Sequence, residues 1–268
     1  MHNRPRTLIV TTAGINCDRE LAHAFELAGA SSEFVHLNRL MAAPDLLDQY
    51  DLIGLPGGFS YGDAVAAGRI GAQLLRQKLY PAFMAAIERG VPIIAPCNGF
   101  QMAVQMGLLP GPPAGVPWPH EPAVASVALT RNDTGRFTDR WVAVEYPRSS
   151  CIWTHGLESP AATSLLPIAH AEGRFVASSE QLDAMGGAGQ IAVRYAAADN
   201  PNGSDGDIAG ICDASGLVLG LMPHPERYTR WSHHPSWTRL DEASRAGDPP
   251  GLAMFRNAVA HVHATATV

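Results

Sequence analysis

Cys97 is the residue of this 268-residue chain whose setting most favours chemistry. It follows the apolar run Val91-Pro92-Ile93-Ile94-Ala95 and precedes Phe100-Gln101-Met102-Ala103-Val104-Gln105-Met106, which has helical composition. A thiol at a strand-to-helix turn is pushed out of the sheet, and the N-terminal end of the helix favours its thiolate. Ala95 and Gly99 are small enough for the tight strand–helix packing of a nucleophile elbow. A free cysteine is also a common core residue, so the elbow needs partners. A cysteine nucleophile requires a base, and a third group to orient that base. Two His-x-Glu pairs compete for the role, His170-Ala171-Glu172 and His224-Pro225-Glu226. The second follows an apolar run at 218–222, and the stiff Pro223-His224-Pro225 backbone limits where its imidazole points. Pattern alone does not choose between them. Cys17, Cys151 and Cys212 show no comparable elbow.

The elements that must position these groups follow from periodicity and turn residues. Strands are expected at 7–11, 32–37, 51–55 and 91–95. Helices alternate with them, one ending at Ala28 before Gly29, then 64–76 and 81–89. Such alternation gives a parallel sheet with helices on both faces, with ligands bound beyond the carboxyl ends of the strands. The third strand runs into Pro56-Gly57-Gly58-Phe59-Ser60-Tyr61-Gly62-Asp63, so this loop and the Cys97 elbow can face one another. Residues 109–122 carry six prolines and are excluded from helix interiors and central strands. They read as a surface connector that could also serve as a lid or docking segment. The chain then turns β-rich, with strands at 124–130, 141–144, 191–195, 208–211 and 217–221, and closes with a helix at 252–261. Residues 199–204 and Gly186-Gly187-Ala188-Gly189 read as turns. The whole is expected to be one α/β domain, residues 1–268.

Composition narrows the function classes. Hydrophobic residues make up 46% and charged residues 16%, which allows a substantial core and argues against disorder. Lys+Arg 19 against Asp+Glu 25 gives a net charge of −6 with no basic block, which argues against nucleic-acid binding. Four widely spaced cysteines without a CxxC pair make neither a disulfide framework nor a zinc ribbon. The first six residues lead straight into a strand, and no apolar run approaches membrane-spanning length. A reducing, cytoplasmic enzyme away from membranes fits. No Walker-type loop and no H-E-x-x-H occur, and His233-His234 alone is a weak metal signal, so no metal site is expected.

Together, Pro56-Gly57-Gly58, the Cys97 elbow and His224-Pro225-Glu226 resemble the class I glutamine amidotransferase family. Longer strings narrow the resemblance: Gly57–Asp63, Cys97–Gln101, Pro201-Asn202-Gly203-Ser204 and Gly220–Arg227 are similar to the glutaminase subunits of phosphoribosylformylglycinamidine synthase. Asn16-Cys17-Asp18, Gly135-Arg136-Phe137 and His170-Ala171-Glu172-Gly173 add to it. The resemblance implies a three-layer, flavodoxin-like fold with a central, mostly parallel sheet and a β-rich second half. It implies Cys97 as nucleophile, His224 as base and acid, and Glu226 as the orienting group. Glutamine would be hydrolysed through a γ-glutamyl thioester. Gly58 or Phe59, in the loop opened by Gly57, and Asn98 are the implied oxyanion donors, and Gln101 would help hold the substrate. The His170–Glu172 pair would then lie nearer a partner-facing surface or serve structure. No cofactor is implied in this chain. ATP and magnesium would belong to a large synthetase partner that activates phosphoribosylformylglycinamide, with a small third subunit as a further bridging partner. Ala95 and Pro96 depart from the family pattern, which has Gly and a small apolar residue there. Ala171 stands where Gly is common. A glutaminase serving another synthase, and a non-catalytic glutamine-binding module, are the competing readings. Co-purification with the synthetase chain separates the first, and a glutaminase assay with the partner present separates the second.

Overall fold

The computed structural model describes residues 4–157 and 164–266, to which all structural statements here refer. Residues 1–3, part of the stretch read as leading straight into the first strand, lie outside them. The first half alternates as the sequence implies: β1 (Arg6–Thr11), α1 (Asp18–Ala28), β2 (Ser31–His36), α2 (Leu37–Ala42) and β3 (Leu52–Gly54). There follow α3 (Arg69–Lys78), α4 (Tyr80–Glu88), β4 (Ile93–Pro96) and α5 (Asn98–Gln105). Gly29, at φ 108°, ends α1 with its N–H on the Glu26 and Phe25 carbonyls, the left-handed stop that glycine allows. The second half holds β5 (Ala128–Thr130), β6 (Thr138–Glu145), β7 (Leu165–His170), β8 (Arg174–Val176) and α6 (Ser179–Gly187). It closes with β9 (Ile191–Tyr195), β10 (Ile208–Cys212), β11 (Val218–Leu221) and α7 (Pro250–Thr265).

Nine strands form one sheet in the order β2-β1-β3-β4-β11-β10-β9-β6-β7. It is parallel from β2 to β11 and antiparallel from there to β7. Side chains alternate between its faces as the strand period demands. Leu8, Val10, Ile93 and Val218 pack on one face with Leu75, Phe83 and Phe100 of α3, α4 and α5. Ile9, Ile94 and Leu219 pack on the other with Phe25 of α1 and Phe255 of α7. Those two rings meet edge to face at 5.0 Å, joining the helices of that layer. This is the three-layer arrangement that the resemblance implies.

Several boundaries shift for physical reasons. The helix expected at 64–76 begins only at Arg69. Before it, Tyr61, Gly62, Asp63 and Gly68 all take positive φ, and Asp63 Oδ1 accepts the Gly68 N–H at 3.2 Å, so this stretch is a knotted turn. Only Ala128–Thr130 of the strand expected at 124–130 is extended. The glycines at 186–187 end a helix rather than form a turn, because Ser178 and Gln181 cap its start reciprocally. Residues 109–122 contain no helix or strand; Gln190 Nε2 donates to Pro110 O and Arg76 Nη2 to Pro122 O, each at 2.8 Å.

Candidate active site

β4 and β11 end side by side, with Ala95 opposite Gly220 and Pro96 opposite Leu221. Cys97 continues that ladder with its N–H on Leu221 O at 2.7 Å and then turns the chain into α5. Its φ of 52° and ψ of −109° lie outside the ordinary regions for a side-chain-bearing residue, the strain expected at an elbow that presents its nucleophile. Gly99 permits the turn: a Cβ there would lie 2.0 Å from Leu55 O. The Pro96 departure is accommodated by strand parity. Ile93 and Cys97 bond toward β11, whereas Ile94 bonds toward Leu55 on the β3 side. Pro96 shares Ile94's direction, and β3 has ended at Gly54, so the missing N–H forfeits no ladder bond.

β11 delivers His224 to the same end of the sheet. Its N–H donates to Pro167 O at 2.8 Å, and the turn Pro225–Arg227 folds Glu226 back under the ring. His224 Nδ1 meets Glu226 Oε1 at 2.6 Å, with both side chains almost wholly buried. Burial disfavours a charged imidazole, but the Glu226 carboxylate and the Cys97 sulfur outweigh it, and the His224 pKa is raised well above the usual histidine value. Nε2 has no partner in full hydrogen-bond geometry, although the sulfurs of Cys97 and Cys17 both press on the ring and favour its proton. Gly57 leaves room for this meeting. A Cβ on it would lie 2.8 Å from His224 Cε1 and 3.4 Å from Cys97 Cβ. The structure therefore brings Cys97, His224, Glu226 and Gly57 together.

The remaining candidates line the same turn. The β1–α1 loop and the glycine loop zip together through Cys17 N to Gly57 O at 3.3 Å and Phe59 N to Gly14 O at 2.9 Å. Phe59's amide is thus spent, which corrects the expectation that it could serve as an oxyanion donor. Of the two loop candidates Gly58 remains. Its φ of 141° and the 2.8 Å from a Cβ to Asn16 N require glycine there. Asn98 opens α5, where the first N–H groups lack intrahelical partners. Its side chain accepts Ser60 N at 3.1 Å and donates to Gln101 Oε1 at 2.8 Å. Gln101 in turn donates to the backbone of Glu172. This network fixes the glycine loop, α5 and the segment after β7 relative to one another.

His170 does not lie on a surface. It is 3% exposed, with Nδ1 against Asn132 Oδ1 at 3.1 Å, so of the two expected places for this histidine, a partner-facing surface or a structural position, its surroundings fit the second. Burial, and then the charge on His224, lower its pKa to about 4. Glu172 turns away from it to accept Ala67 N at 3.1 Å. Asn202 supports the segment by donating to Gly173 O at 2.8 Å, and its own turn is pinned by Asn200 Oδ1. Cys17 is the residue the sequence reading passed over. It stands at the start of α1 as Cys97 stands at the start of α5, and a Gly57 Cβ would lie 3.3 Å from its sulfur.

Residues 4–262 match the model of the CobB/CobQ-like glutamine amidotransferase domain. The chain belongs to that family. A phosphoribosylformylglycinamidine synthase subunit PurQ from Dehalococcoides mccartyi is 40% identical over 96% of the amidotransferase and 97% of its own length. The solved structure of PurLQS from Thermotoga maritima contains a chain 33% identical, with a TM-score of 0.69 over 96% of the amidotransferase and 99% of that chain. A glutamine amidotransferase structure from Thermotoga maritima, 13% identical with a TM-score of 0.54 over 97% and 99%, shares the fold. The amidotransferase is accordingly a glutaminase subunit of the phosphoribosylformylglycinamidine synthase type. Among the described residues no helix is long and apolar enough to cross a membrane.

Proposed function

We propose that this chain hydrolyses L-glutamine at Cys97 and passes the ammonia to a separate synthetase chain that makes phosphoribosylformylglycinamidine. The observation that carries the residue roles is the buried 2.6 Å pair of His224 and Glu226 beside the Cys97 elbow. An imidazolium held by a carboxylate is the partner a thiolate nucleophile requires. The Cys97 sulfur attacks the side-chain amide carbon of glutamine, and the carbonyl oxygen takes up the negative charge. Backbone N–H groups of Gly58 and Asn98 stabilise that oxyanion. His224 gives its proton to the amide nitrogen, the carbon–nitrogen bond breaks, and ammonia leaves a γ-glutamyl thioester on Cys97. His224 then takes a proton from water, which attacks the thioester. Glutamate departs and the thiolate is restored. Glu226 keeps the ring aimed and balances its charge throughout. Gln101, bonded to Asn98 and to the Glu172 backbone, positions the substrate wall.

ATP and magnesium are assigned to the synthetase partner, with a small third subunit bridging the two. Residues 1–268 act as one catalytic domain in this reading, and four free buried cysteines suit a reducing cytoplasm. The test uses the reconstituted complex with Cys97→Ser. Glutamine-dependent synthesis should vanish while synthesis from added ammonia survives. Retention of near-normal glutamine-dependent synthesis would overturn the assignment.

A further inference from the structure

Cys97 is not the only sulfur beside His224. Cys17 stands at the start of α1, 2% exposed, near an imidazole that is 1% exposed. A ring nitrogen of His224, a Glu226 carboxylate oxygen and the Cys17 sulfur all lie within 4.8 Å of one another. The point a Gly57 Cβ would occupy is 3.3 Å from Cys17 Sγ and 2.8 Å from His224 Cε1, so sulfur and ring edge approach the same small space. The sulfur is itself held from two sides. Its thiol donates to Asn16 Oδ1 at 3.2 Å, and Arg227 Nη2 donates to it at 3.0 Å. Arg227 follows Glu226 directly, so the turn that brings the carboxylate to Nδ1 also brings the guanidinium that fixes Cys17.

Glu226 secures one edge of the ring only. A histidine pinned through Nδ1 alone can still swing about that bond, and Nε2 has no partner in full hydrogen-bond geometry. We infer that Cys17, clamped by Arg227 and Asn16, is a positioning residue for His224, holding the protonated ring in place for proton transfer, a role that rests on His224 being the acid–base group. Burial works against a charged ring; Glu226 and the Cys97 sulfur favour its proton, and the Cys17 sulfur adds to them. The Cys97 contribution lapses once that sulfur is bound up in the thioester. The Cys17 sulfur makes and breaks no bond in the reaction, so its support persists while the ring takes a proton from water. The other ionisable neighbours are His170, which burial and then the His224 charge keep neutral, and Glu20, which faces Arg227.

The experiment compares Cys17→Ala, which removes the sulfur, with Cys17→Ser, which returns a smaller acceptor. Carbon-13 placed at histidine Cε1 follows the His224 titration by NMR in the purified chain, the signal being assigned by its loss in His224→Ala. Glutamine hydrolysis is measured in the reconstituted complex, with ammonia-fed synthesis and a thermal melt as controls. Cys17→Ala should lower the His224 pKa and bring the alkaline limb of kcat to lower pH. Its kcat should fall about 10-fold, the scale of one lost hydrogen bond to a charged group, with KM little changed. Cys17→Ser should lie between Cys17→Ala and wild type in both readouts. A thiol that only packed would leave the His224 titration unmoved. An unchanged or raised His224 pKa in Cys17→Ala would therefore overturn the role of Cys17 whatever the activity, as would a lowered pKa with unchanged kcat. Hydrolysis that survived in Cys97→Ser would refute the nucleophile instead, and the His224 titration would still decide the part assigned to Cys17.

Discussion

The two His-x-Glu segments differ by one residue in sequence, and the fold puts them to opposite uses. After β11 the turn Pro225–Arg227 folds Glu226 back onto His224, and the carboxylate holds the ring charged in a dry site. After β7 the chain bends away, Glu172 caps the Ala67 amide, and His170 is left with the neutral side chain of Asn132. Without an acidic partner, burial wins and His170 stays neutral, with a pKa of about 4. Whether burial leaves a histidine charged or neutral depends on which group the next turn brings to it. Spacing does not decide this; the backbone direction after the strand does.

Substitutions can break that contrast. His224→Ala should lower glutamine hydrolysis by ~10³-fold or more, because proton transfer and nucleophile activation go together. Ammonia-fed synthesis measured in the same complex checks that the partner is intact. Glu226→Gln keeps the imidazole in place but removes its charge partner, and should cost on the order of 10²-fold. Its pH profile should move with it, since the raised His224 pKa depends on that carboxylate. Gly57→Ala places a methyl 2.8 Å from His224 Cε1, and the displaced ring should slow turnover by about 10- to 100-fold with the fold retained. His170→Asn preserves a donor to Asn132 Oδ1 and should leave turnover within a few-fold of wild type.

Stability sharpens the comparison from the other side. A neutral buried histidine with a folded pKa of about 4 binds fewer protons than its unfolded form between that value and about 6.5. Its contribution is therefore present above the unfolded pKa and lost as pH falls through the folded one. The full loss corresponds to up to about 3 kcal/mol. Denaturant melts between pH 7 and 4 should show a shallower decline for His170→Asn than for wild type. His224 contributes with the opposite sign: its raised pKa adds stability below the unfolded value that is lost as pH rises through the folded one. An unchanged acid slope in His170→Asn would mean that His170 is charged in the folded protein.

Much of the site was legible because strand ends and glycines carry plain physical signals. The apolar run before Cys97, the run before His224 and the Gly57-Gly58 loop all mark carboxyl ends in the parallel half of the sheet. What escaped was set by tertiary context. β7 contains Pro167, which argues against a strand; it is tolerated because β7 is the edge of the sheet and pairs only with β6. With β7 unread, the burial of His170 and the Pro167 carbonyl that holds His224 were hidden too. Cys17 was discounted because its turn lacks the tight elbow of Cys97, yet β1 ends at the same edge of the same sheet. Phe59 illustrates the reverse: its position suits an oxyanion donor, but the bond to Gly14 O could not be read from sequence.

The central claim is that Cys97 is the nucleophile and that His224, not His170, activates it. An electrophilic glutamine analogue, an α-chloroketone bearing the glutamine backbone, tests this directly when its rate of covalent labelling is followed by peptide mass spectrometry. Wild type and His170→Asn should be labelled on the Cys97 peptide at similar rates, His224→Ala roughly 10³-fold more slowly, and Cys97→Ser not at that peptide. Labelling at another residue, or slow labelling in His170→Asn with normal labelling in His224→Ala, would contradict the account.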